Sequence, residues 1–108
     1  MWNKKTGVPY YNAIVWCDSR NSSLLETIKK DLADANIDIE ERTGLPISTY
    51  FSGSKLRWLA ENNEEVHAAL QSGEAIIGTI DSWLVYKLTQ YSENGPLHVT
   101  DVTNASRT

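Results

Sequence analysis

The run Ala75-Ile76-Ile77-Gly78-Thr79 constrains this chain more than any other feature. It is short, apolar and partly β-branched, which predicts a buried strand. A buried strand must find partners for its N–H and C=O groups. On one side, Val66, Ala69 and Leu70 recur at helical spacing, and Gly73 closes that helix. On the other, Asp81 is placed to cap a helix in which Trp83, Leu84 and Leu88 point one way. Strand and helix signals interleaved along 108 residues fit α/β or α+β packing in one small unit.

The rest of the pattern fills in that unit. Asn3-Lys4-Lys5-Thr6-Gly7 reads as a turn with Gly7 at positive φ, so a β-hairpin is expected to feed a strand through Ala13-Ile14-Val15-Trp16. Ser23-Leu24-Leu25-Glu26 has the spacing of a capping box. Leu24, Ile28 and Leu32 then mark one face of a helix running to about Ala35. Glu40 to Thr43 predicts a short helix closed by Gly44, and Leu45 to Tyr50, with Pro46, predicts irregular backbone. A further helix starts near Ser52 or Ser54 with Leu56, Leu59 and Ala60 inward. Tyr91 to Pro96 is a polar loop, and the weak alternation of Leu97 to Thr103 suggests another strand. The polar run Asn104 to Thr108 brings no terminal element, so the chain reads as cut at both ends.

Composition excludes several classes. Ten Lys and Arg against fourteen Asp and Glu give a net charge of −4, with no basic patch of the kind a nucleic-acid surface needs. Cys17 stands alone, so a disulfide framework is excluded and a cytoplasmic location is expected. No apolar run approaches the ~20 residues of a membrane span. The six glycines, at 7, 44, 53, 73, 78 and 95, are too far apart for a glycine-rich nucleotide loop. His67 and His98 are isolated, Cys17 has no ligand-spaced neighbour, and no serine lies on a nucleophile elbow. No catalytic or metal-ligating residue is therefore assigned.

Two features call for more than packing. Trp16-Cys17-Asp18-Ser19-Arg20 stands at the end of the expected strand, where ligand sites of α/β folds gather. It reads either as an apolar wall beside a polar rim or as a core Trp with a surface Asp–Arg pair. Tyr50-Phe51-Ser52-Gly53 precedes a helix, and Tyr50 either aims its hydroxyl into a cleft or is an ordinary buried aromatic.

At these residues the chain resembles the glycerol kinases, within the family of carbohydrate kinases that share an actin-like, ribonuclease-H-like fold. Lys5-Thr6-Gly7, Pro9 and Tyr11 to Trp16 resemble that family's hairpin and strand, and Trp16-x-Asp18-x-Arg20 resembles a pattern of many of its members. Thr43-Gly44-Leu45-Pro46-Ile47-Ser48-Thr49-Tyr50-Phe51-Ser52 is more specific to the kinases of glycerol. Lys55 to Leu59, Gly78 to Leu84 and His98 to Thr108 continue the similarity in register.

The resemblance implies a partial ribonuclease-H-like (actin-like ATPase) domain, with residues 1–108 forming part of an N-terminal carbohydrate kinase domain. It implies ATP-dependent phosphorylation of glycerol to sn-glycerol 3-phosphate, with Mg2+ on the nucleotide and a homo-oligomeric full-length enzyme. Trp16 matches a Trp against the carbon side of glycerol, and Tyr50 matches a Tyr whose hydroxyl bonds a glycerol hydroxyl. The Arg-Glu pair that binds glycerol would precede Met1. The general base, phosphate loops and adenosine pocket would lie beyond this segment, which alone is expected to bind no nucleotide. Asp18 and Arg20 are then assigned to the helix start and the cleft rim. The rivals are a kinase of the same family acting on another polyol or sugar, and a non-catalytic truncated product.

Overall fold

The computed structural model describes residues 1–106; Arg107 and Thr108, the end of the polar tail, lie outside the described residues. The elements run β1 (Trp2–Asn3), a 3-10 turn (Ser22–Leu24), α1 (Leu25–Asp34), α2 (Ile39–Thr43), α3 (Ser52–Asn62), α4 (Glu64–Gln71), β2 (Ala75–Ile76), α5 (Ile80–Thr89) and α6 (Val102–Ala105). They divide into two compact units, one of Met1–Ala13 with the chain from Asn63 onward, the other Ile14–Asn62.

The first unit is built on Trp2. β1 pairs antiparallel with β2, Trp2 opposite Ile76 and Asn3 opposite Ala75. Asn3 shapes the expected turn: its Oδ1 accepts from the N–H groups of Lys5 and Thr6 at 2.9 and 3.0 Å. Gly7 takes φ 67° and returns the chain so that Trp2 bridges Pro9. The Trp2 ring packs edge-on against Trp83, Tyr86 and His98, with centroids 5.0 to 5.6 Å away. Val66 and Ala69 of α4 are buried with it. Gly78 is fixed by this packing: a Cβ there would lie 2.6 Å from Ser82 Cβ and 2.9 Å from the Trp2 ring.

The strand expected through Ala13-Ile14-Val15-Trp16 does not form. Ile14 and Val15 carry β propensity, but no ladder partner lies beside them among the described residues, and propensity without pairing does not hold a strand. The Ala75–Thr79 strand shortens to Ala75–Ile76, half-buried, because β1 offers it only two residues. The helix after it turns another face inward than expected. Ser82 and Tyr86 are buried, whereas Leu84 and Leu88 are 52% and 83% exposed. Gly78 against Ser82 and Trp2 against Tyr86 set that rotation. Asp81 lies inside the first turn of α5 rather than capping it; the cap residue is Thr79. The expected strand at Leu97–Thr103 is also absent; its last two residues, Val102 and Thr103, begin α6, which Asp101 caps by accepting from Thr103 and Asn104 N–H.

In the second unit local signals fare better. Asp38 caps α2, and Gly44 ends it at φ 69°. The capping box at Ser23 fails: residues 22–24 tighten into the 3-10 turn, α1 begins at Leu25, and Glu26 pairs with Lys29 at 2.8 Å. Leu24, Ile28 and Leu32 are half-buried along one face as the periodicity predicts. In α3, Leu59 is buried, and so are Ser54 and Lys55.

Candidate functional site

The second unit brings the two singled-out aromatics together. Trp16 sits in a turn closed by the Asp18 N–H on the Val15 carbonyl at 3.1 Å. Tyr50 ends the irregular segment before α3, its N–H bonded to Ser48 Oγ at 3.2 Å. The Trp16 and Tyr50 rings lie 6.3 Å apart, tilted by 56°, and Phe51 stands edge-on to Tyr50 at 5.1 Å. Trp16 is 70% exposed and Tyr50 is 47% exposed, so neither is a core aromatic. Two such rings facing solvent offer an apolar face and one phenolic donor to a small ligand with both C–H and O–H groups.

Asp18 and Arg20 form a tight pair beside them. Arg20 Nε donates to Asp18 Oδ1 at 2.9 Å and Nη2 to Oδ2 at 2.7 Å, while the Arg20 N–H also donates to Oδ1 at 3.0 Å. These bonds, the Arg20 side chain first, hold the Asp18 carboxyl at about 2, well below the ordinary carboxylate range. The guanidinium also lies 5.0 Å over the Trp58 ring, a cation–π contact.

Beneath the aromatics lies a polar layer that the sequence reading did not single out. Asn21 is fully buried and donates to Ser54 Oγ at 2.6 Å and to the Thr49 carbonyl at 3.3 Å. The Ser54 hydroxyl reaches the Ser48 and Phe51 carbonyls, each at 3.2 Å. Lys55, also buried, donates to the Val15 carbonyl at 2.7 Å and the Tyr50 carbonyl at 3.2 Å. Burial lowers its ammonium pKa, and the charges of Asp18 and Cys17 oppose that shift. A signal for Lys55 was present: it precedes Leu59 by four residues, on the face that α3 buries.

Among the described residues no group of three or more His, Cys, Asp or Glu is placed to hold a metal ion. No helix among the described residues is long and apolar enough to cross a membrane.

The sequence profile of the FGGY family of carbohydrate kinases, N-terminal domain, matches residues 1–108. The chain belongs to the FGGY family. Its relatives include the glycerol kinase of Arabidopsis thaliana, 53% identical over 108 residues, all of this chain and 20% of that protein. The glycerol kinase of Brucella anthropi is 51% identical over the same 108 residues, 21% of its length. Among solved structures, Plasmodium falciparum glycerol kinase with ADP superposes at TM-score 0.84 with 42% identity, covering 99% of this chain and 20% of that one. This FGGY segment thus spans about a fifth of the relatives it matches. Its helices and two-stranded sheet are part of the actin-like, ribonuclease-H-like fold class to which that structure belongs.

Proposed function

We propose that this segment supplies the Trp16–Tyr50 wall of a glycerol site in a kinase that converts glycerol and ATP to sn-glycerol 3-phosphate and ADP. One observation carries the reading: two solvent-facing rings 6.3 Å apart, in a chain about half identical to glycerol kinases over its whole length. Glycerol has a hydroxyl on every carbon and a small C–H face. A site selective for it must pair the hydroxyls and cover that face, because a buried polar group left unpaired penalises any analogue lacking its partner. Trp16 covers the C–H face, and the Tyr50 hydroxyl bonds one glycerol oxygen. Asp18 and Arg20 neutralise one another at the rim and keep the site from presenting net charge to an uncharged substrate.

Phosphoryl transfer depends on positioning donor, metal and acceptor together. In this reading the segment supplies the acceptor side, and the ATP–magnesium site is assigned to other parts of the kinase. A cytoplasmic, homo-oligomeric enzyme is part of the same proposal.

The test is a coupled ADP-release assay on the kinase containing this segment, with glycerol, other polyols and sugars compared as acceptors. The reading expects the highest kcat/KM with glycerol. A higher value with another polyol or a sugar would assign the segment to a different kinase of the family, and no acceptor-dependent ADP release would mark a non-catalytic product.

A further inference from the structure

We propose that Lys55 is a positioning residue for the Trp16–Tyr50 pair, its ammonium tying together the two loops that carry the rings; the proposal rests on reading that pair as the glycerol contact. Neither ring stands on a strand or helix: Trp16 lies in a turn and Tyr50 in the turn before α3. Their separation therefore depends on contacts between the two loops as well as on each loop's own turn. Lys55 is 6% exposed, and from the first turn of α3 its Nζ donates to the carbonyl of Val15, the residue before Trp16, and to the carbonyl of Tyr50 itself, at 2.7 and 3.2 Å. The Asn21–Ser54 pair holds the carbonyls of Ser48, Thr49 and Phe51, which steadies the Tyr50 loop without reaching Val15. Lys55 does what that pair does not: one donor group bonds both loops, at Tyr50 itself and at the residue next to Trp16. Hydrogen bonds from an ionised donor are about twice as strong as neutral ones. The charge sits beside the Asp18 carboxylate, which opposes the cost of burying it. A lysine that merely filled space would bury its stem and carry its charged head out to water. This one turns its head inward onto two carbonyls.

Steady-state kinetics of the kinase containing this segment provide the test, with glycerol and ATP each varied. Lys55→Met keeps the length of the side chain and removes its donors. It is expected to raise glycerol KM by roughly tenfold, the loss of a bond from a charged donor, and to leave ATP KM unchanged. Lys55→Arg keeps charge and donors but displaces them, and is expected to give a glycerol KM between the parent and Lys55→Met. Trp16→Ala and Tyr50→Phe are measured alongside. If these two raise glycerol KM while Lys55→Met lowers only the melting temperature, Lys55 is structural and the proposal is overturned. If neither ring variant changes glycerol KM, the glycerol-contact reading fails and takes the proposal with it. Should Lys55→Met not fold, Lys55→Arg decides: a raised glycerol KM with ATP KM unchanged supports positioning, and a glycerol KM equal to the parent overturns it.

Discussion

Trp16 and Tyr50 differ from the other large aromatics in how they are held. Trp2 and Tyr86 are buried in mutual edge contacts, whereas Trp16 and Tyr50 face solvent on loops. Rings that face solvent contribute less to stability than buried ones, so their effects should show mainly in substrate use. Tyr50→Phe in the kinase is expected to weaken glycerol use by about 1–3 kcal/mol, the cost of leaving a buried partner hydroxyl unpaired. Trp16→Ala should also weaken it, through lost apolar cover. Kinetics with each substrate varied check both, and ATP KM should stay unchanged. Asp18 gives a second prediction at this scale. Its folded-state pKa is depressed from 3.8 to about 2, so its contribution to stability is complete above 3.8 and is lost as pH falls toward about 2. Asp81 and Asp101, lowered by Thr100 and Asn104 respectively among their partners, act in the same direction. Urea midpoints of the chain should therefore drop across that acid window, and Asp18→Asn should flatten part of the drop.

Among the elements, glycines separate a packed position from an open one. A Cβ at Gly78 would meet Ser82 Cβ at 2.6 Å and the Trp2 ring at 2.9 Å, while one at Gly53 would meet nothing within 4 Å. Gly78→Ala is expected to cost about 1–3 kcal/mol through overpacking. Gly53→Ala, in the first turn of α3, is expected to be neutral or stabilising by up to about 1 kcal/mol. Urea melts of the two variants check the contrast. The elements the sequence made legible were those set by local chemistry: the Asn3–Gly7 turn, α2 with Gly44 at its end, and α4 closed before Gly73. Those it hid depend on distant partners. Ile14 and Val15 have a strand's composition but no neighbouring ladder, and Thr100 is bonded by its hydroxyl to Asp81 at 2.6 Å rather than set into a strand. The rotation of α5 was hidden for the same reason, since Trp83, Leu84 and Tyr86 are all apolar enough to face inward and only Trp2 and Gly78 choose among them. At the candidate site, Trp16 and Tyr50 were singled out through resemblance, and their rings lie 6.3 Å apart. The Asn21, Ser54 and Lys55 layer was legible only in the spacing of Lys55 to Leu59, because polar residues read as solvated until their carbonyl partners are known.

Among the described residues, buried apolar side chains are few and exposed ones are many. Leu59, Val66 and Tyr86 are among the buried, whereas Ile80, Leu84 and Leu88 form an exposed stripe at four-residue spacing along α5. In the 108-residue chain, Leu59→Ala should therefore cost about 2–5 kcal/mol, and Leu88→Ser should stay within about 0.5 kcal/mol. The chain also spans about 20% of its relatives. By itself it is expected to release no ADP in the presence of glycerol and to show no saturable ATP binding by calorimetry. The central claim, that Trp16 and Tyr50 form one wall of a glycerol site, is tested most directly by a crystal structure of the kinase with glycerol bound. The account predicts the glycerol carbons against the Trp16 ring and one glycerol hydroxyl within about 2.7 Å of the Tyr50 hydroxyl. Glycerol bound elsewhere, with both rings left in solvent, would contradict it.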